Sequence, residues 1–152
     1  KREDLLIKIP ILLKISPDLE ADNLKYLCEK VLSSKIDGLI ISNTTISRDS
    51  ISTDTLEKGG LSGKPIFDIS TKQLRMAYKY TNGKIPLIGV GGVDSAEKAY
   101  EKIKNGASLI QLYTGLVYNG PNLIKDINED LSSLIERDGY SNISEAVGAE
   151  VN

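Results

Sequence analysis

The chain has 152 residues, a net charge of −2, 40% hydrophobic and 26% charged residues, the profile of one soluble globular domain with a real core. Lysine and glutamate are interspersed rather than clustered, which gives no reason to expect a nucleic-acid partner. There is no histidine and one cysteine, Cys28, so His-based triads, His-ligated zinc motifs and an internal disulfide framework are excluded.

Residues 1–9 mix charged and apolar side chains and define no element. Pro10 opens the apolar run Ile11-Leu12-Leu13-Lys14-Ile15, whose lack of alternation predicts a strand buried on both faces, as in a parallel sheet. Ser16-Pro17-Asp18 marks a turn and helix start. From Leu19 to Leu32 the apolar positions Leu24, Leu27, Cys28 and Val31 recur at helical spacing, so Cys28 reads as core rather than as a reactive thiol. Asp37-Gly38 turns into a second buried strand, Leu39 to Ser42, and the polar run Asn43-Thr44-Thr45 follows at once.

Residues 46–69 form a long connection with Gly59, Gly60, Gly63 and Pro65. Its bulky Leu61, Ile66 and Phe67 argue for an ordered, functional loop. A helix is expected from Ser70 to Tyr80, with Tyr78 and Tyr80 on its surface and Asn82-Gly83 as its stop. A strand over Pro86 to Val90, a helix over Ser95 to Lys104, a stop at Asn105-Gly106 and a strand over Ser108 to Tyr113 come next. After Asn119-Gly120-Pro121 an amphipathic helix runs to Arg137, with Leu123, Ile124, Ile127, Leu131, Leu134 and Ile135 on one face. A short tail helix is expected near Ser144 to Val147. Asp94, Glu97 and Glu101 read as helix-start charge and solvated face, and no metal constellation is visible.

The pattern is β-α four times over, an α/β fold with a parallel sheet. It suits either a small doubly wound sheet or half of a (β/α)8 TIM barrel, and the half barrel is preferred. Polar or glycine residues stand at the C-terminal end of every strand, and in a barrel those ends converge on one mouth. Lys14 there is an ammonium that needs a partner, because an isolated buried one is costly. Ser42-Asn43-Thr44-Thr45 offers uncharged donors and acceptors, or simply a turn. Gly89-Val90-Gly91-Gly92 is not the dinucleotide fingerprint, since position 94 is Asp94. Paired with Tyr113-Thr114 it makes a phosphate corner, where glycine lets backbone N–H groups approach an anion.

Six stretches in order carry a resemblance: LLKISPDL (12–19), DGLIISNTT (37–45), GGLSGKP (59–65), PLIGVGGV (86–93), GASLIQLYTGLVYNGP (106–121) and EAVGA (145–149). Together they resemble the C-terminal half of a dihydroorotate dehydrogenase of the membrane-linked, quinone-using class. The resemblance implies that residues 1–152 are the C-terminal half of one FMN-binding barrel domain. It implies cofactor contacts from Lys14, Ser42, Gly63, Gly91, Gly92, Tyr113 and Thr114. Lys14 would stabilise the anionic reduced flavin. Asn43 and Thr44 would bind orotate, and Leu116, Val117 and Pro121 would line the quinone and inhibitor channel. The partners it implies are dihydroorotate or orotate, ubiquinone, the missing N-terminal half of the barrel, and a membrane surface reached through absent N-terminal helices. The implied location is the mitochondrial inner membrane.

The family's catalytic base is a serine on a loop before the strand that carries Lys14. No matching stretch is present, so no catalytic residue is assigned and the base is expected upstream of Lys1. The alternatives are a phosphate-binding barrel lyase or isomerase acting on a sugar phosphate, and a non-catalytic half barrel.

Overall fold

The structure, a computed structural model, describes residues 9–52 and 58–151. The opening stretch before Ile9 and part of the 46–69 connection lie outside the described residues. Four strands, β1 (Leu12–Ile15), β2 (Gly38–Ile41), β3 (Leu87–Val90) and β4 (Leu109–Gln111), form one sheet in the order β1-β2-β3-β4, with every pairing parallel. The order never reverses. A doubly wound sheet needs a reversal at its switch point, whereas a (β/α)8 barrel repeats this sequential βα wall. The α/β reading with four βα units is borne out.

The helices are α1 (Ala21–Leu32), α2 (Phe67–Thr81), α3 (Ala96–Lys104), α4 (Thr114–Asn119), α5 (Leu123–Arg137) and α6 (Ile143–Ala146). Helix α1 buries Leu24, Cys28 and Val31 against Leu39, Ile41, Leu74 and Leu87, the principal core. Cys28 is fully buried there, and burial, aided by the nearby Glu29 charge, pushes its thiol up to about 11, so it is core as expected. Helix α2 starts three residues before the expected Ser70, because a single turn over Lys64–Ile66, begun by Pro65, runs straight into it. It ends where Asn82 takes the left-handed conformation. The Ser95 hydroxyl caps α3 by accepting from the Lys98 N–H. Helix α5 lies on α3 through Leu123 and Ile127, with Leu131 half-buried beside them.

Three expectations are corrected. Strand β1 is not buried on both faces: Ile11 is 48% and Leu12 36% exposed, because β1 is an edge of this sheet. The other edge, β4, likewise leaves Leu109 62% exposed. Tyr78 is not a surface residue. Its half-buried ring stands where a Cβ on Gly106 or Gly148 would lie, and its hydroxyl donates to the Val147 carbonyl at 3.4 Å. Helix α4 was absent from the sequence reading: it is one short turn and a half, with no apolar period to betray it. No described helix is long and apolar enough to cross a membrane.

Candidate functional site

Parallel strands deliver their C-terminal ends to one side of the sheet. Register puts Lys14 opposite Ile40, Ile41 opposite Gly89, and Val90 opposite Gln111, so the residues that follow each strand share one rim. There they enclose a cavity of about 270 Å³. Lys14, Ser42, Asn43, Thr44, Gly63, Gly91, Gly92, Tyr113 and Thr114 all line it. These are the nine positions at which cofactor or substrate contact is expected, and the fold brings every one to the same hollow. Leu116, Val117 and Pro121 are not among its described lining residues. Leu116 packs on the Phe67–Val93–Leu123 cluster, Val117 is exposed on α4, and Pro121 is exposed beyond it.

The polar floor is built by backbone. The Ser42 N–H donates to the Val90 carbonyl at 3.0 Å and the Asn43 N–H to the Ile15 carbonyl at 2.8 Å. These bonds carry the sheet past the ends of β2, so the Asn43 and Thr44 side chains stay exposed to the hollow. Thr45 turns away: its hydroxyl donates to the Asp18 carboxylate, whose second oxygen accepts the Ile46 N–H at 3.0 Å. Burial pushes the Asp18 carboxyl up, but the bonds from Thr45, Ile46 and Ser16 outweigh it and hold the group below its ordinary value.

The 59–63 segment folds over this floor. Thr45 and Leu61 exchange backbone bonds of 3.1 and 2.8 Å, and the Arg48 guanidinium donates to the Gly59 carbonyl at 2.6 Å. Thr114 Oγ1 donates to Ser62 Oγ at 2.9 Å. Beyond it, a second hollow of about 660 Å³ runs past Lys64 and Asp94 to Tyr118 and Asn119. Asp94 accepts from Lys64 at 3.0 Å and Lys98 at 2.9 Å. Burial raises the Asp94 carboxyl, yet the two lysines together keep it below its usual range. Asp94 is therefore the tie between loop and corner rather than merely helix-start charge.

The glycine corner is tight. Gly91 and Gly92 have φ of +113° and +72°. A Cβ on Gly92 would stand 2.6 Å from the Phe67 Cβ and 2.8 Å from its Cα. Only glycine permits this path, which leaves backbone facing the hollow without a side chain in between.

Sequence reading missed three contributors. Ser62 stood between Leu61 and Gly63 with nothing to mark it. Asp18 read as a helix-start signal. Lys102 was passed over, although it falls on the buried side of α3 with Ala99 and Ile103 and is fully buried. The helical period held that information. Among the described residues, no group of three or more His, Cys, Asp or Glu could hold a metal ion.

Comparison with known proteins gives a consistent relationship. Residues 2–135 match the family model described as dihydroorotate dehydrogenase. The chain is 54% identical over 144 residues to a protein of Arabidopsis thaliana named dihydroorotate dehydrogenase (quinone), mitochondrial, covering 93% of this chain and 31% of that protein. It is 49% identical over 147 residues to the dihydroorotate dehydrogenase (quinone) of Parvibaculum lavamentivorans, covering 95% of this chain and 42% of the relative. A crystal structure of ligand-free DHODH from Eimeria tenella superposes with a TM-score of 0.88 at 35% identity, over 93% of this chain and 40% of that one. The chain thus spans about a third to two fifths of the length of these relatives.

Proposed function

The chain belongs to the dihydroorotate dehydrogenase family, and from that premise we propose that it forms part of a quinone-dependent dihydroorotate dehydrogenase. In this reading the whole protein oxidises dihydroorotate to orotate in pyrimidine biosynthesis, using FMN that ubiquinone reoxidises. Residues 1–152 are the C-terminal half of its barrel domain, and the N-terminal half supplies the remaining wall. The single observation that carries the proposal is the convergence of Lys14, Ser42, Asn43, Thr44, Gly63, Gly91, Gly92, Tyr113 and Thr114 on one hollow.

The hollow suits a flavin mononucleotide. The Gly91–Gly92 corner has no room for a Cβ and presents bare backbone to the hollow, as a phosphate group requires. Lys14 lies two strands away, about 10 Å at ordinary strand spacing, and brings a cation to the opposite end of the same hollow. When bound, FMN would supply hydride acceptance and passage of electrons to a quinone.

The chain's own residues bind and orient. Asn43 and Thr44 offer amide and hydroxyl groups to the pyrimidine and carboxylate of orotate. Lys14 balances negative charge on the isoalloxazine. The 59–63 segment, held by Thr45 and Thr114, covers the cofactor and excludes water. Positioning of substrate against cofactor is their main catalytic contribution. The base that takes the substrate proton is, in this reading, a serine of the N-terminal half. Leu116, Val117 and Pro121 face the quinone side of the assembled protein. Mitochondrial inner-membrane attachment belongs to this proposal and draws on the plant relative's name.

The test is the full-length protein. It is expected to purify yellow with bound FMN and to reduce a quinone analogue when given dihydroorotate. Replacing Asn43 with Ala should raise the KM for dihydroorotate while flavin content stays. A colourless protein that turns over a phosphorylated sugar would reverse the proposal.

A further inference from the structure

Lys102 is a buried cation outside the cavity lining. Its side chain is fully buried, and Nζ donates to Ser70 Oγ at 2.8 Å and Thr71 Oγ1 at 3.0 Å. The Phe67 ring lies 4.9 Å from the ammonium. No carboxylate ion-pairs with it among the described residues. An ammonium held in the interior by hydroxyls alone is costly, and stays charged only where an anion compensates it.

Its position suggests where that anion sits. Ser70 Oγ, the acceptor for Lys102, itself donates towards the Phe67 carbonyl at 2.9 Å and the Gly91 carbonyl at 3.3 Å. Because a hydroxyl has one proton, accepting from Lys102 leaves that proton to be shared between the nearer Phe67 carbonyl and the Gly91 carbonyl. The Gly91 carbonyl is thereby drawn back towards α2. In a planar trans peptide the following N–H, that of Gly92, points the opposite way, away from α2. The other nearby cations are spoken for: Lys64 and Lys98 both engage Asp94. Lys14 lies two strands away.

We propose that Lys102 is a positioning residue for the flavin phosphate, fixing the Gly91–Gly92 corner through Ser70 and holding a positive charge behind it. The inference rests on the flavin reading above and deepens it. Lys102 touches no ligand; it acts through Ser70 and through its field. Burial lowers its pKa to about 7, against the opposing pull of Glu101 on its own helix and Asp68 on α2. Lys98 shares the Phe67 ring, and Asp94 closes the same corner. From the sheet, the neutral Gly89 of β3 lies against the Lys102 side chain. A bound phosphate favours the charged form, so binding and protonation are linked. The linked gain is full below about pH 7 and is lost as pH rises through the higher value of the bound state.

The experiment titrates the full-length apoprotein with FMN and with riboflavin, which lacks the phosphate, between about pH 6 and 9. Lys102→Met is expected to weaken FMN by about tenfold and leave riboflavin unchanged. The wild-type advantage over the variant should shrink with rising pH, a trend that titration of the phosphate itself, common to both proteins, cannot produce. Where Lys102→Met does not fold, Ser70→Ala gives the same comparison, since it cuts the link to Gly91 and leaves Thr71 to hold the ammonium. A folded variant that keeps the full preference for FMN over riboflavin overturns the proposal. So does an equal loss of both flavins, which marks a structural role only. A wild-type protein that binds neither flavin overturns the flavin reading itself.

Discussion

Thr114 donates its hydroxyl to Ser62 at 2.9 Å across 52 positions of sequence. One partner opens α4 after the fourth strand; the other stands in the 59–63 loop. The Thr114 methyl also lies 3.0 Å from where a Cβ on Gly63 would stand. The side chain therefore packs against the loop with one branch and bonds it with the other. Thr114→Val keeps the shape and removes the bond. The expected cost is about 1 kcal/mol at a half-buried pair, or about fivefold in affinity if the loop closes only over bound cofactor. Flavin fluorescence titration of the full-length protein measures it. An unchanged FMN affinity would show that the bond serves the fold and not the site.

Gly92 and Gly59 both have positive φ, +72° and +124°, yet their alanine variants should differ sharply. A Cβ at Gly59 meets open space, whereas at Gly92 it meets Phe67 N, Cα and Cβ between 2.6 and 2.9 Å. Backbone cannot swing aside as a side chain can. Gly59→Ala should therefore cost about 1 kcal/mol, the strain of the conformation alone. Gly92→Ala should cost about 3 kcal/mol or more and release FMN, because the corner must open. Chemical denaturation separates the two; equal losses would mean that the corner yields.

Asp18 accepts from Thr45 and from the Ile46 N–H, so the first βα turn holds the second. Asp18→Ala leaves the exposed Ile46 N–H to water but strips the buried Thr45 hydroxyl of its acceptor, and should cost about 1–2 kcal/mol. The larger effect should fall on orotate, because Asn43 and Thr44 precede the freed Thr45. The expected signature is a raised KM for dihydroorotate with little change in melting temperature. The pH dependence follows from the lowered carboxyl. The stabilisation is present above the ordinary value of 3.8 and is lost as pH falls through the depressed folded value.

Apolar runs located the four described strands, and helical periodicity located the four long helices, because each of those helices buries one face. The strand ends were equally legible, since lysine, asparagine and threonine are conspicuous after an apolar run. What joins them was not. Ser62 meets Thr114, Thr45 meets Asp18, and Tyr78 closes on Gly106 and Gly148 through tertiary approach that no local spacing encodes. The exposure of β1 and β4 was also invisible. An apolar run signals that a strand is coverable, and the cover of an edge strand is a matter of what stands beside it.

Asp94 gathers Lys64 from the loop and Lys98 from α3 on a carboxylate that is 12% exposed. The partners are unequal: Lys64 is 76% exposed and Lys98 30%. A solvated lysine contributes little, so Lys64→Ala should change stability by under about 0.5 kcal/mol, and Lys98→Ala by more. Asp94→Asn should exceed both, at about 1–2 kcal/mol, because it leaves two ammonium groups facing a neutral amide. Burial alone would raise the carboxyl, and the two lysines reverse the sign, so the folded value lies below 3.8. The tie is therefore intact above that pH and weakens as pH drops through the folded value. Urea unfolding at pH about 7 and about 3 tests this directly. The wild type should lose more stability than Asp94→Asn on acidification, and parallel losses would show that Asp94 does not carry the acid sensitivity of this corner.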